Sequence, residues 1–182
     1  MICSIHQPNF MPWYPFFQKI MVSDVFVILS HCQFEKNGFQ NRFNMDNEWY
    51  TMSVKKGLKS IIEKQYNNPQ HDWKKLKKRL YDYNLDIFDD CIVNSLSETN
   101  SNIIIKICDI LDIKTKIVYD YETDLKSNER LIDICLKNKC DTYLSGIGAK
   151  EYINEKLFYN NGIKIIYQYE DKMIKKPILK MI

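Results

Sequence analysis

The sequence predicts an α/β sandwich of three layers, a largely parallel sheet covered by helices on both faces. Three observations lead there. Residues 2–5 and residues 25–29 (V-F-V-I-L) are apolar runs without period-two alternation, as strands buried on both faces are. Between them Phe16, Phe17, Ile20 and Met21 fall at helical spacing, which makes a βαβ unit. Farther along, short apolar runs of strand length keep alternating with amphipathic segments of helix length.

Taken in order, residues 2–5 are the first strand. Pro8, Pro12 and Pro15 interrupt the next stretch, and Pro15 suits the first turn of a helix, where its missing N–H costs nothing. Residues 25–29 are the second strand. Residues 31–48 carry Gly, Asn, Gln and Arg without a clear period and read as a long polar loop, a feature that goes with function or disorder. Residues 49–54 (W-Y-T-M-S-V) read as a third strand. Trp73, Leu76, Leu80 and Tyr83 share one helical face, and the lysines of W-K-K-L-K-K-R lie on its solvated side. Ile103, Ile104, Ile107, Ile110 and Leu111 mark another helix, and residues 116–119 a strand. Ser127 is placed to cap a helix whose apolar face is Leu131, Ile134 and Cys135. Residues 141–144 and 164–167 are the last strands, with a short helix near residues 150–157 between them. The chain, residues 1–182, is expected to be a single domain.

Composition narrows the setting. Apolar residues are 45% of the chain and charged residues 27%, ordinary for a globular protein. A net charge of +3 is too small to argue for nucleic acid. No apolar stretch has the length of a membrane span, and no basic region precedes a long apolar core at the N-terminus. The six cysteines form no C-x-x-C pair and sit mostly in apolar-periodic segments. They read as reduced small hydrophobes of a cytoplasmic protein, and no metal site is expected.

Three stretches carry chemistry. The first is His6-Gln7-Pro8-Asn9, which comes after the first strand and precedes a helix N-terminus. Ligands of open α/β sheets bind beyond the carboxyl ends of strands, and a helix N-terminus favours an anion. A catalytic or anion-binding His6 and Asn9 should face a cavity shared with Arg42, not the helix layer; the alternative is a proline-stiffened turn. The second stretch, residues 31–42, leaves the second strand at the same sheet edge and offers Gln33, Lys36, Asn41 and Arg42. Arginine suits a bidentate carboxylate or phosphate contact, although the segment reads equally as a solvated loop. The third is Y-L-S-G-I-G-A-K-E-Y, residues 143–152. There Ser145, Gly146, Gly148 and Lys150 make a phosphate or oxyanion cradle, or simply a strand-to-helix turn.

These residues together resemble the WbqC-like proteins. The matching segments are I-H-Q-P-N-F-M-P-W-Y-P-F-F-Q-K-I, S-D-V-F-V-I-L-S, C-Q-F-E-K-N-G-F-Q-N-R and W-Y-T-M-S-V-K-K-G, with a looser second block at Y-L-S-G-I-G-A-K-E-Y. Ser53 departs from the proline often found in the family, and the chain ends at K-K-P-I-L-K-M-I where many members continue, so a contact from that part would be absent or supplied by a partner chain. The resemblance implies a role in bacterial O-antigen or capsule biosynthesis, with an acyl or aminoacyl group passed to the amine of a nucleotide-linked amino sugar. His6 would then act as base or phosphate donor, and Arg42 and Lys55 would hold anionic groups. Gln7 and Trp13 would contact substrate. The activated donor would be an acyl-adenylate from ATP, a coenzyme A thioester or a charged tRNA, the last being the only nucleic acid expected. The turn and its flanking strands are also similar to the nucleotide-binding ligases and HUP-type nucleotidyltransferases, although Asn9 stands where their second histidine would be. The rival class is a non-catalytic sugar-nucleotide-binding or scaffold protein, in which His6, Arg42 and Ser145 would be paired separately rather than meeting at one pocket.

Overall fold

A computed structural model describes residues 1–169 and 176–182. In chain order its main elements are β1 (Ile2–His6), α1 (Tyr14–Met21), β2 (Val25–Ile28), β3 (Arg42–Met45), β4 (Glu48–Thr51), α2 (Pro69–Arg79), α3 (Leu96–Ile110), β5 (Lys116–Tyr119), α4 (Ser127–Lys137), β6 (Thr142–Ser145), α5 (Glu155–Asn160) and β7 (Lys164–Tyr167). Five strands form a parallel sheet in the order β5-β2-β1-β6-β7. The chain builds outward from β1 in one direction, then returns to β1's other side and builds outward again. The switch point is therefore the gap between the carboxyl ends of β1 and β6, where such sheets bind ligands.

The strand faces explain the three layers. Phe26 and Ile28 pack with Phe16, Phe17 and Ile20 of α1 and with Ile103, Ile104 and Ile107 of α3. Cys3, Ile5, Val25, Val27 and Tyr143 pack on the opposite face with Ile132 and Cys135 of α4 and Phe158 of α5. Both sides of β1 and β2 are covered, which is why their apolar runs do not alternate. The strands ending near residues 5, 29 and 144 lie side by side. The six cysteine thiols are free, and all but Cys32 are buried.

Three local expectations give way. The expected third strand belongs to an antiparallel hairpin of β3 and β4, outside the main sheet, and part of the expected loop is its first strand. Its two-residue turn, Asp46-Asn47, has φ of +53° and +64°, as a type I′ turn requires. Asn47→Gly should therefore raise stability by about half a kcal/mol, read from a urea midpoint, whereas a loss would rule that turn out. Ser127 does not cap α4: it is the first helical residue, has φ of +47°, and comes after Lys126 at the cap position. The helix expected near residues 150–157 starts at Glu155, because Asn154 accepts from the Leu157 N–H at 3.1 Å and fixes the start.

Candidate functional site

The His6-Gln7-Pro8-Asn9 turn leaves β1 at the switch point and is tied down from several sides. Fully buried Asn100 of α3 donates through Nδ2 to the carbonyls of Pro8 (2.8 Å) and Gln40 (2.7 Å). Its Oδ1 accepts from Tyr66 Oη at 3.0 Å. Gln40 Nε2 donates to Gln7 Oε1 at 2.5 Å, and Gln7 Nε2 donates to Cys32 Sγ at 3.4 Å. The Phe10 N–H donates to the Phe39 carbonyl at 2.8 Å. Met11, buried, has φ of +44°, a conformation that persists in a non-glycine residue only when its surroundings over-determine it.

Beyond this turn lies a cavity of about 660 Å³. His6, Asn9 and Trp13 line it, with Phe39, Phe43 and Asn44 opposite and Lys176 to Leu179 closing one side. Trp13 is half exposed at the mouth. The Asn9 side chain makes no hydrogen bond among the described residues, so its amide is available to a ligand.

His6 is the inner wall. Its ring stands edge-on to Phe16 at 4.9 Å, so it faces the α1 layer as well as the cavity, contrary to the expectation that it would avoid the helices. Nδ1 lies 2.9 Å from the Gln7 carbonyl, which can only accept, so the neutral ring carries its hydrogen on Nδ1. Burial, and then the Lys19 charge, push its pKa down to about 4. Lys19 itself lies buried under β1, its Nζ donating to the Ile5 carbonyl at 3.2 Å, and burial lowers its pKa to about 8.

The other expected site residues are dispersed. Arg42 does not line the cavity: its guanidinium donates to the carbonyls of Gly38 and Asn37 and lies 4.1 Å over the Trp49 ring. Asn41 is buried and ties Met52 O through Nδ2 at 2.8 Å. Gln33 donates to the Lys59 carbonyl at 2.8 Å, Lys55 to Gln65 Oε1 at 2.7 Å, and Lys36 is exposed. Ser145 is buried, its Oγ donating to the Gly146 carbonyl at 3.2 Å, at the end of the strand next to β1. A Cβ at Gly146 or Gly148 would meet nothing within 4 Å, so packing demands neither glycine and the backbone stays open to approach. Lys150 holds its Nζ 5.6 Å from the Tyr167 ring centroid. The structure thus brings His6, Asn9 and Trp13 together, with Gln7 behind them, and places Arg42 and Ser145 elsewhere.

Asn100 and Lys19 were not singled out from sequence. Lys19 does carry a signal, since it falls between Phe16 and Ile20 on the stripe that faces the sheet. Asn100 sits among other polar residues of α3, and nothing in its neighbours marks it. Among the described residues no helix is long and apolar enough to cross a membrane, and no group of three or more His, Cys, Asp or Glu is arranged to hold a metal ion.

Comparison with known proteins agrees with the motifs. The model of the WbqC-like protein family matches residues 7–176, which includes most of the turn, both hairpin strands and the Ser145 turn. The chain belongs to the WbqC-like family. It is also similar to the uncharacterized protein Rv1507c of Mycobacterium tuberculosis, 26% identical over 185 residues, covering 90% of this chain and 80% of that protein. No solved structure matches significantly.

Proposed function

We propose that this WbqC-like chain works in the cytoplasm, in bacterial surface-polysaccharide biosynthesis, as a single domain that joins a small acyl or aminoacyl group to the amine of a nucleotide-linked amino sugar. The chemistry of the cavity carries this reading. Three aromatic rings, Trp13, Phe39 and Phe43, share it with the short amides of Asn9, Asn44 and Asn47. A sugar ring has an apolar C–H face that packs on aromatics and hydroxyls that bond to amides. The Ser145-Gly146 turn, one strand away at the switch point, offers open backbone to the diphosphate, with Lys150 nearby. The donor is an acyl-adenylate made from ATP, a coenzyme A thioester or a charged tRNA.

Mass spectrometry tests it. UDP-glucosamine incubated with the protein and each donor class should gain the mass of the acyl group. No adduct with any donor or amino sugar sinks the reaction. His6→Ala should lower turnover about tenfold, the scale of one lost hydrogen bond to the Nε2 lone pair. It should also lower the melting temperature by a few degrees, about 1 kcal/mol, because the ring packs on Phe16. Full turnover in the folded fraction would remove His6 from the site.

A second reading has an observation in its favour. Arg42 and Ser145 are paired separately, as a sugar-nucleotide-binding protein without catalysis would have them. It predicts calorimetric binding of the sugar nucleotide with no change in its mass.

A further inference from the structure

A second cluster sits on the same rim, at the carboxyl ends of β2 and β5. Asp120 comes directly after β5 and is almost completely buried. Its Oδ1 accepts from the Ser30 N–H at 2.8 Å and from the His31 ring at 3.0 Å through Nδ1. Its Oδ2 accepts from the His31 N–H at 3.1 Å and from Arg130 of the first turns of α4. Arg130 also donates to the His31 carbonyl and to the Tyr121 carbonyl. The His31 side chain keeps 28% of its surface, against 1% for Asp120 and 11% for Arg130. No protein group among the described residues bonds to Nε2 of His31.

We propose that His31, oriented by Asp120, is the proton acceptor of the transfer reaction, and that Arg130 positions the pair. The inference rests on the function proposed above and names a residue for it. A carboxylate accepts only, so it holds the hydrogen of the neutral imidazole on Nδ1 and leaves the Nε2 lone pair outward. His6 is the poorer base. Its ring is enclosed by α1 beside the Lys19 ammonium, whereas His31 faces a buried carboxylate at the open edge. Cys32, the next residue, is no rival nucleophile, since burial raises its thiol to about 11.

The pair lies outside the lining of the cavity, and two contacts along the rim join its segment to the His6 turn. The Leu29 N–H donates to the His6 carbonyl at 2.8 Å, and Gln7 touches Cys32 Sγ at 3.4 Å. A nucleotide-linked sugar seated at His6 and Asn9 would present its amine along this rim toward His31. In the step, the amine nitrogen attacks the carbonyl carbon of the activated acyl donor and a C–N bond forms. The amine proton passes to His31 Nε2, giving an imidazolium paired with Asp120. The bond from carbonyl carbon to the donor's oxygen or sulfur breaks, and its electron pair leaves with the donor. The proton then goes from Nε2 to that leaving group, which restores the neutral ring.

The test uses the full chain. His31→Gln should lower kcat about a hundredfold or more with KM within about twofold, as for loss of a general base. His31→Ala should recover activity with added imidazole. Nitrogen-15 NMR of the wild type should show His31 protonated on Nδ1, with the Nε2 signal moving when UDP-glucosamine is added. Unchanged kcat in His31→Gln overturns the proposal. If the wild type forms no adduct with any donor, the transfer reading fails, and NMR alone decides the pair: a ring protonated on Nε2, or an Nε2 signal indifferent to UDP-glucosamine, overturns it.

Discussion

Asp120→Ala should be the most damaging single truncation on the sheet edge, lowering stability by about 3–5 kcal/mol in urea unfolding and the melting temperature by about 10 °C. The size comes from the groups left stranded. The carboxylate is the shared acceptor of two backbone N–H groups, Ser30 and His31, of the His31 ring, and of the Arg130 guanidinium. Removing it leaves Arg130, 11% exposed, as a buried charge with no counter-charge among the described residues, and it leaves the end of β2 with unpaired donors. Arg130→Met should cost less, because Asp120 would keep its backbone donors and the ring. The double variant Asp120→Ala/Arg130→Met should recover part of the loss, since no lone charge remains. A single-variant cost under about 1 kcal/mol would mean that water reaches the cluster and that the pair is not held rigidly enough to orient His31.

That cluster also marks where the sequence stops being readable. The sheet was legible because β1 and β2, covered on both faces, stand out as apolar runs, and β5, β6 and β7 fall at the short breaks between amphipathic segments. The β3 strand was not, because R-F-N-M shows only two apolar positions, Phe43 and Met45, and its turn lacks glycine. The His6-Gln7-Pro8-Asn9 turn was legible as a polar break at a strand end. The partnership of His31 with Asp120 was not, since the two are 89 positions apart. A charged residue after a strand reads as solvated until the fold supplies its partner. Arg42 shows the same limit in reverse: its donors suggested a ligand, and the neighbouring carbonyls of Asn37 and Gly38 take them instead. Donor type can be read from sequence, but whether a donor is already satisfied is a property of the packed loop.

Lys19→Met should stabilise the protein at pH 7 by up to about 3 kcal/mol, and the pH dependence should show why. Burial lowers the Lys19 ammonium from the usual 10.5 to about 8, and its Nζ donates to the Ile5 carbonyl at 3.2 Å. At pH 7 it is charged in both folded and unfolded chains, so the fold carries the whole desolvation cost. Between pH 8 and 10.5 the unfolded chain keeps a proton that the folded one has released, so wild-type stability should rise with pH across that window. Lys19→Met should be flat there. His6 acts at the other end. Its folded pKa of about 4 lies below the ordinary 6.5, through burial first and the Lys19 charge second. As pH falls through that interval the unfolded chain takes up a proton that the fold refuses, and stability should drop by about 3 kcal/mol. With Lys19 replaced, one of the two causes is gone, so the acid loss should be shallower. Urea unfolding of both proteins from pH 4 to pH 11 reads both windows. A destabilised Lys19→Met at pH 7, with the alkaline rise intact, would show that Lys19 reaches water and does not hold His6 neutral. The expected result makes Lys19 a residue kept at a cost to stability beneath the strand end that carries His6, where its charge adds to burial in keeping the imidazole unprotonated at the edge of the cavity.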